Sequence, residues 1–239
     1  MTRKRADMVL VERGFSESRA KARAAIEAGG VRANGALVSK ASELISQDAA
    51  IVYAPAHPWV SRGGVKLAHA LDVFGIDPRG RLCLDIGAST GGFTQVLLAR
   101  GAARVYAVDV GVGQLHAALR SDPRVVSLEN TDARALDRTL MPEPPSLIVC
   151  DVSFIGAAKA LATALSLAAA RAELVALIKP QFEAGPGRGG VLADDLARAV
   201  GDAAVQLIDA LHSFGFVKAI DAPIRGGEGN LERLAYFRR

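Results

Sequence analysis

Five ionisable side chains stand at the ends of short apolar stretches that helix-like stretches separate. They are Asp85, Asp109, Asp132, Asp151 and Lys179. When such strands lie parallel in a sheet, their carboxyl ends meet along one edge, and ligands bind at that edge. Any one of these groups could be a buried structural charge, but packing alone does not explain five of them. The pattern indicates a site for a polar ligand, with carboxylates and an amine available for proton transfer.

The first of these stretches ends in a glycine-rich turn that restricts the choice of ligand. Residues 82–94 read LCLDIGASTGGFT, a strand, three glycines and a helix, which present backbone N–H groups and a positive helix end to a nucleotide-like ligand. A phosphate-binding loop would end in Gly-Lys-Ser or Gly-Lys-Thr, and a dinucleotide site would read Gly-Xaa-Gly-Xaa-Xaa-Gly, but neither pattern is present. The residues predicted to bind a cofactor here are Asp85, Gly87, Ser89, Gly91, Gly92 and Phe93.

Two later carboxylates complete a nucleoside site. Asp109 closes the next strand, at the position from which a carboxylate can bind both ribose hydroxyls of an adenosine. Asp132 follows the third strand and is available to the adenine amino group. S-adenosylmethionine fits these residues because it offers a ribose and a base but no diphosphate. Asp151 is counted in both the cofactor set and the catalytic set.

The candidate residues for transferring a methyl group from S-adenosylmethionine are two lysines and two carboxylates. Lys66, Asp151, Lys179 and Glu232 lie in the segments SRGGVKL, CDVSF, IKPQFE and GNLERL. A ribose hydroxyl is a poor acid, so transfer to it benefits from an amine whose pKa a nearby cation lowers and which carboxylates orient. Each of the four could instead be an ordinary surface charge, although Lys179 stands between Ile178 and Pro180, where simple solvation is a poor explanation. The Asn/Asp-Pro-Pro-Tyr run of amino-group methylases is absent.

Strand-like and helix-like stretches alternate in the second part of the chain, as in a parallel sheet covered by helices on both faces. The predicted strands are Leu82 to Ile86, Val105 to Val108, Val125 to Leu128, Leu147 to Cys150 and Leu174 to Ile178. Helices are predicted at Phe93 to Arg100, at Ala157 to Ala170 and over the late stretch VLADDLARAVGDAAVQLIDALHSFGF. The predicted fold class is α/β, a Rossmann-like sheet of the class I methyltransferase type over residues 63–239. A linker at 55–62 and a small α+β domain at 1–54 precede it.

The first domain is marginal in size and strongly basic at its start. Seven of the first 23 residues are basic and three are acidic. We predict a short helix from Asp7 to Arg13, a second helix that Ser16 caps, and a hairpin with the turn Asn34-Gly35. The basic face is typical of nucleic-acid binding, with a solvated helix face as the alternative. The predicted RNA contacts are Arg5, Arg19, Lys21 and Arg23, together with Arg62 and Arg188 in the second part of the chain.

Composition excludes several other classes of protein. The chain has 239 residues, of which 50% are hydrophobic, enough for a large core. No apolar run approaches the ~20 residues of a membrane span and the start resembles no signal peptide, so we expect a cytoplasmic protein. Cys83 and Cys150 lie in apolar runs and are expected to be buried and reduced, and the four histidines show no ligand spacing. We predict no metal site and expect a monomer.

Two family resemblances follow from these motifs. The stretch from Arg5 to Tyr53 resembles the S4 family of RNA-binding modules through SRAKA, GVRANG and the Asp before its last strand. Lys66, Asp151, Lys179 and Glu232 match, in order and context, the Lys-Asp-Lys-Glu set of the FtsJ-like ribose 2′-O-methyltransferases. With VSRGGVKL, DIGASTGGFT, DVSFI, KPQFE and GGEGNLE, the whole chain is similar to the TlyA-type family of bacterial rRNA cytidine 2′-O-methyltransferases, also labelled hemolysins.

The resemblance implies a donor, an acceptor and a role for each catalytic residue. The donor is S-adenosylmethionine, and the acceptor is a cytidine 2′-hydroxyl in large-subunit rRNA, with small-subunit rRNA left open. Lys179 would be the principal base, Asp151 and Lys66 would position and tune it, and Glu232 would complete the hydrogen-bond set. Ribosomal RNA, free or in subunits, is the expected partner, and the N-terminal module would dock on it largely through phosphates.

The sequence leaves two other functions open. An RNA-binding protein without catalysis is disfavoured because all four catalytic-type residues are present. Replacing Lys179 would separate the two functions, since an enzyme should lose methylation and keep RNA binding. A membrane-active hemolysin would need a spanning segment or a basic amphipathic helix with large apolar residues. The helix predicted after Ser16 is instead alanine-rich, with Ile26 as its only large aliphatic residue.

Overall fold

The protein is described by a computed structural model that covers residues 2–184, 190–211 and 214–239. The chain divides into two compact units, Met1–Pro58 and Trp59–Arg239. Each unit has its own buried apolar core.

The first unit is a small α+β domain with two short sheets. Its elements are β1 (Arg3–Arg5), α1 (Ala6–Glu12), α2 (Arg19–Glu27), β2 (Val31–Ala33), β3 (Ala36–Leu37), β4 (Leu44–Ser46) and β5 (Ile51–Tyr53). Strand β1 pairs antiparallel with β4, and β2 pairs antiparallel with both β3 and β5. The helices pack on the sheets through a core of small and aliphatic residues.

One local prediction in this unit is confirmed and one is wrong. Asn34 and Gly35 join β2 to β3 with φ values of 50° and 81°, as the predicted type I′ turn requires. The predicted cap is wrong because Ser18, not Ser16, precedes the first turn of α2. Ser18 is extended and its side chain accepts the N–H of Lys21, whereas the Ser16 hydroxyl donates to the carbonyl of Ser18.

The second unit is an α/β domain with a seven-stranded sheet. Its elements are α3 (Arg62–Phe74), β6 (Leu82–Ile86), α4 (Gly92–Ala99), β7 (Arg104–Val108), α5 (Ala117–Arg120), β8 (Val125–Leu128), β9 (Leu147–Cys150), α6 (Ala157–Ser166), β10 (Glu173–Ile178), α7 (Pro180–Glu183), α8 (Asp194–Asp209), β11 (Gly215–Asp221) and β12 (Arg233–Arg238). The strand order is β11-β12-β10-β9-β6-β7-β8, in which β12 is antiparallel to both neighbours and the other pairs are parallel. The predicted Rossmann-like class is confirmed.

The sheet reverses its direction of growth at β6. From β6 the chain adds β7 and β8 on one side and then returns to add β9 and β10 on the other. The carboxyl ends of β6 and β9 therefore lie next to each other at a topological switch point, where ligands bind in folds of this kind. The register pairs Ile86 with Cys150, and the N–H of Asp151 donates to the carbonyl of Ile86 at 2.8 Å.

Two apolar cores cover the two faces of this sheet. Leu84 and Ile148 pack with residues of α6 and α8, whereas Cys83 and Val149 pack with residues of α3 and α4. Neighbouring residues of one strand point to opposite faces, so continuous apolar runs are what a strand buried on both faces requires. Both cysteines are buried and free, as predicted, and burial raises the pKa of Cys83 to about 12.

Candidate active site

The glycine-rich turn between β6 and α4 is held in one shape by its neighbours. Gly87 and Gly91 have φ values of 80° and 94°, a region that favours glycine. A Cβ atom on Gly87 would collide with the backbone carbonyl of Asp151, and one on Gly91 would collide with the side chain of Leu119. The N–H of Gly87 donates to the carbonyl of Val108 at the end of β7, at 2.9 Å. The turn therefore lies tightly against the ends of β7 and β9.

A cavity of about 180 Å³ opens beside this turn. Of the residues predicted from the sequence, its lining includes Gly87, Ser89, Gly92, Phe93, Asp151 and Lys179. Those that do not line it are Asp85, Gly91, Asp109, Asp132, Lys66 and Glu232. The fold thus brings the glycine turn and two of the four candidate catalytic residues to one cavity.

Lys179 and Asp151 form an ion pair on the cavity wall. Asp151 is the first residue after β9, and Lys179 is the first residue after the neighbouring strand β10. The Nζ atom of Lys179 lies 2.6 Å from Oδ1 of Asp151 and donates to Oγ of Ser153 at 3.0 Å. The side chains of the pair are 14% and 22% exposed, so the amine is shielded yet reachable from the cavity.

Lys66 and Glu232 form a second ion pair that is almost completely buried. Nζ of Lys66 donates to Oε2 of Glu232, and the two side chains are 7% and 3% exposed. Lys66 lies in α3 one turn after Gly63, which lines the cavity, and a Cβ on Gly63 would lie 3.4 Å from Oδ2 of Asp151. Helix α3 therefore connects the buried pair to the pair on the cavity wall.

Asp85, in β6, is a buried carboxyl group with one unsatisfied oxygen. It is fully buried, and its Oδ2 accepts a hydrogen bond from Oγ1 of Thr94 at 2.6 Å. Its Oδ1 has no hydrogen-bond partner in the part of the chain that the structure describes. Burial raises the pKa of Asp85 to about 7, since the charged form loses its hydration.

We expect Asp85→Asn to raise the Tm at about pH 8 and to leave it nearly unchanged at about pH 4. The folded chain keeps a proton on Asp85 that the unfolded chain releases above a pKa of about 3.9, so stability declines as the pH rises from there toward about 7. Asparagine carries no charge at either pH and removes this penalty. Thermal unfolding of both proteins across this range measures the difference, and a difference independent of pH would contradict the expectation.

Protein groups already bond to both of the carboxylates predicted to bind a nucleoside. Asp109 follows β7, and its oxygens accept the N–H groups of Ser89 and Gly111 at 2.8 and 2.7 Å. Asp132 is paired with the guanidinium of Arg134 at 2.6 Å, which lowers its pKa to about 2. Asp109 is thus coupled directly to the glycine turn, and Asp132 would share its carboxylate with Arg134 when it bound an amino group.

The sequence did not single out several residues that the cavity brings together. Ser61, Gly63 and Ser153 line it, and they belong to the motifs VSRGGVKL and DVSFI. Phe154 follows Ser153, has a φ of 68°, and is 91% exposed. Its ring lies against that of Phe182 in α7, with 5.1 Å between the centroids. Nothing in the local sequence signals an exposed phenylalanine in this conformation, which is unfavourable for a bulky residue.

The predicted RNA contacts of the first unit are all paired with carboxylates. Arg5 and Arg19 both bond to Asp7. Lys21 pairs with Glu17 and Arg23 with Glu27, each four residues away on the surface of α2. In the second unit Arg62 is exposed at the start of α3, and Arg188 lies outside the described residues.

Within the described ranges, no group of three or more His, Cys, Asp or Glu side chains could hold a metal ion. In the same ranges, no helix is both long enough and apolar enough to cross a membrane.

Both units match known protein families. Residues 59–239 match the profile of the FtsJ-like methyltransferases, and residues 4–51 match that of the S4 domain.

Two relatives and one solved structure are similar to nearly the whole chain. The chain is 46% identical over 246 residues to the 16S/23S rRNA (cytidine-2′-O)-methyltransferase TlyA of Mycobacterium tuberculosis, covering 99% of this chain and 90% of that protein. It is 42% identical over 240 residues to Hemolysin A of Brachyspira hyodysenteriae, covering 98% and 99%. A solved structure of a hemolysin-named protein from Streptococcus thermophilus superposes with a TM-score of 0.76 at 36% identity, covering 100% of this chain and 89% of that one.

Proposed function

This chain belongs to the FtsJ-like methyltransferase family, and we propose that it transfers a methyl group from S-adenosylmethionine to the 2′-hydroxyl of a cytidine in ribosomal RNA. The relative from Mycobacterium tuberculosis is named for this reaction on 16S and 23S rRNA. The S4 domain supplies an RNA-binding module on the same chain. We propose large-subunit rRNA as the acceptor, with small-subunit rRNA as a second acceptor, and the cytoplasm as the place of the reaction.

The observation that carries this proposal is the ion pair of Lys179 and Asp151 on the wall of a cavity that the glycine turn also lines. A cofactor at the turn and a hydroxyl beside Lys179 would share this cavity. Holding the two reacting groups together in one fixed geometry contributes a large part of the rate enhancement at such a site.

The residues around the turn fit S-adenosylmethionine. When bound, this group supplies a methyl on a positively charged sulfur, which a hydroxyl oxygen can attack. Asp85 does not line the cavity, but it lies in β6 two residues before Gly87, and its buried Oδ1 has no partner in the described part of the chain, which suits it to the donor's ammonium group. A Cβ on Gly63 would lie within 3.5 Å of Ser61, Asp151 and Phe93, which all line the cavity, so glycine keeps this part of the wall open. Asp109, which accepts one N–H from the turn and one from Gly111, retains lone pairs for the ribose hydroxyls.

Lys179 is placed to receive the proton of the acceptor hydroxyl. As the hydroxyl oxygen gains a methyl group its proton becomes strongly acidic, so a group within hydrogen-bond reach must take it. Ser153 accepts one N–H of Lys179, and the carboxylate of Asp151 lies on another side of the same nitrogen. Because the ion pair holds Lys179 as an ammonium, the side chain first releases one proton to solvent. Its two neighbours then fix the direction of the lone pair of the neutral amine, and Asp151 stabilises the ammonium that forms again when the hydroxyl proton is taken up.

Transfer of a tritiated methyl group to purified small and large ribosomal subunits tests the proposal. The wild type should label rRNA, the label should be recovered as 2′-O-methylcytidine after digestion, and Lys179→Ala should give none while still binding the donor. The subunit that is labelled identifies the acceptor. Donor binding without label in either subunit, or label on a base, would show that the acceptor is wrong.

Phe154 is expected to hold the base of the acceptor nucleotide. Phe154 directly follows Ser153, which lines the cavity, and its ring is exposed. An aromatic face stabilises an unstacked base by about 1–3 kcal/mol. Phe154→Ala should therefore lower kcat/KM for ribosomal subunits by about 5- to 100-fold, with donor affinity unchanged. Phe154→Trp, which keeps a stacking face, should retain most of the activity, and equal losses in the two variants would contradict this role.

A further inference from the structure

Asp7 in the first unit bonds to two of the arginines that are predicted from the sequence to contact RNA. Nε and Nη2 of Arg5 donate to its two oxygens, each at 3.0 Å. Nε and Nη2 of Arg19 both donate to Oδ2, at 3.1 and 2.9 Å. Because both guanidinium groups bond to the same oxygen, they are held side by side.

The carboxylate is fixed whereas the arginines are open to solvent. The Asp7 side chain is 5% exposed, against 42% for Arg5 and 60% for Arg19. The two guanidinium groups lower the pKa of Asp7 to about 2, so the carboxylate stays ionised near neutral pH, where RNA binding is measured. A buried carboxylate cannot turn away when an anion approaches its partners.

Each guanidinium presents a second edge away from Asp7. Nε and Nη2 are used toward the carboxylate, while Nη1 of Arg5 and Nη1 of Arg19 make no hydrogen bond within the described part of the chain. A planar guanidinium can bond to a carboxylate along one edge and to a phosphate along another. The pair therefore offers two fixed donors to neighbouring phosphates.

The other basic residues of α2 are held differently. Arg23 pairs with Glu27, and the two side chains are 68% and 59% exposed. Such exposed ion pairs contribute little to stability, and their side chains rearrange freely. Glu27 therefore serves as a matched control, since it is also the carboxylate partner of a predicted RNA-binding arginine.

We propose that Asp7 is a positioning residue that presents Arg5 and Arg19 as a rigid pair to the phosphate backbone of the RNA. This rests on the proposed function. For the removal of Asp7, this proposal predicts weaker RNA binding, whereas the change in net charge alone predicts tighter binding. Removing an acidic group raises the local positive charge, which by itself would tighten RNA binding, whereas the loss of a fixed pair weakens it.

The test compares Asp7→Asn with Glu27→Gln in the full chain, with purified bacterial 23S rRNA as the probe. Filter binding over a series of KCl concentrations gives both the Kd and its salt dependence. We expect Asp7→Asn to bind the rRNA at least about fivefold more weakly. The slope of log affinity against log salt concentration should fall in magnitude by about one to two, because each lost phosphate contact reduces it by about 0.9. Glu27→Gln should bind equally or more tightly. Binding by Asp7→Asn as tight as the wild type would overturn the inference.

A second variant covers the case in which Asp7→Asn fails to fold. Arg19→Lys keeps the charge on an exposed side chain but loses the two-edged geometry, and we expect it also to weaken binding and reduce the slope. Unchanged binding by a folded Arg19→Lys would overturn the inference. A destabilised but otherwise normal domain would lower the Tm without changing the slope of the folded protein. Failure of the wild type itself to bind or methylate rRNA would instead refute the proposed function.

Discussion

Replacing Lys179 with methionine is expected to lower kcat by about 10³-fold and to leave the Kd values for rRNA and methyl donor within about threefold. Methionine has a similar length and keeps the packing, but it removes the amine that faces the cavity beside Asp151 and Ser153. The effect should fall on the chemical step because Lys179 handles the proton of the acceptor. Single-turnover rates with ribosomal subunits, together with equilibrium binding, separate the two quantities.

Two controls distinguish the loss of a base from the loss of a charge. Lys179→Arg retains a positive charge but cannot accept a proton, so it should be nearly as inactive as the methionine variant. Lys159→Met removes an exposed lysine of α6 and should have no effect. Substantial activity in Lys179→Arg would mean that positive charge alone is needed at this position.

The parts of the fold that can be predicted from the sequence are the buried strands, because their apolar runs recur along the chain. The apolar run from Leu147 to Cys150 indicates a strand buried on both faces, and the structure has β9 at those residues. Strands β11 and β12 are different. Residues 215–218 of β11 are exposed, so burial leaves no periodic signal there. The antiparallel direction of β12 depends on pairing with β10, a contact between distant segments that local sequence does not encode.

The candidate site shows the same division. Asp151 and Lys179 are predictable because both follow apolar runs, and adjacent parallel strands bring such ends together. The pairing of Lys66 with Glu232 joins residues 166 positions apart, and only the resemblance to a family groups them. Phe154 is not predicted as a site residue because its exposed ring and positive φ are features of the folded chain that no local sequence pattern signals.

The second large effect concerns that buried pair. Lys66→Met is expected to lower the free energy of unfolding by about 3–5 kcal/mol, because it leaves the carboxylate of Glu232 buried without its partner. Chemical denaturation at about pH 7 measures the change. An exposed pair such as Arg104 with Glu143 is the control, and Arg104→Met should cost less than about 1 kcal/mol. A similar small cost for Lys66→Met would show that water or other groups satisfy Glu232.

Replacing both members of the pair separates folding from catalysis. Removal of both charges by Lys66→Met with Glu232→Met leaves no uncompensated ion, so stability should return to near the wild-type value. If the pair served stability alone, methyl transfer would return with it. We expect kcat to remain at least about tenfold low. Lys66 lies in α3 one turn after Gly63, which lies against Asp151, so loss of the pair should loosen the support of Lys179 in a protein that is otherwise folded.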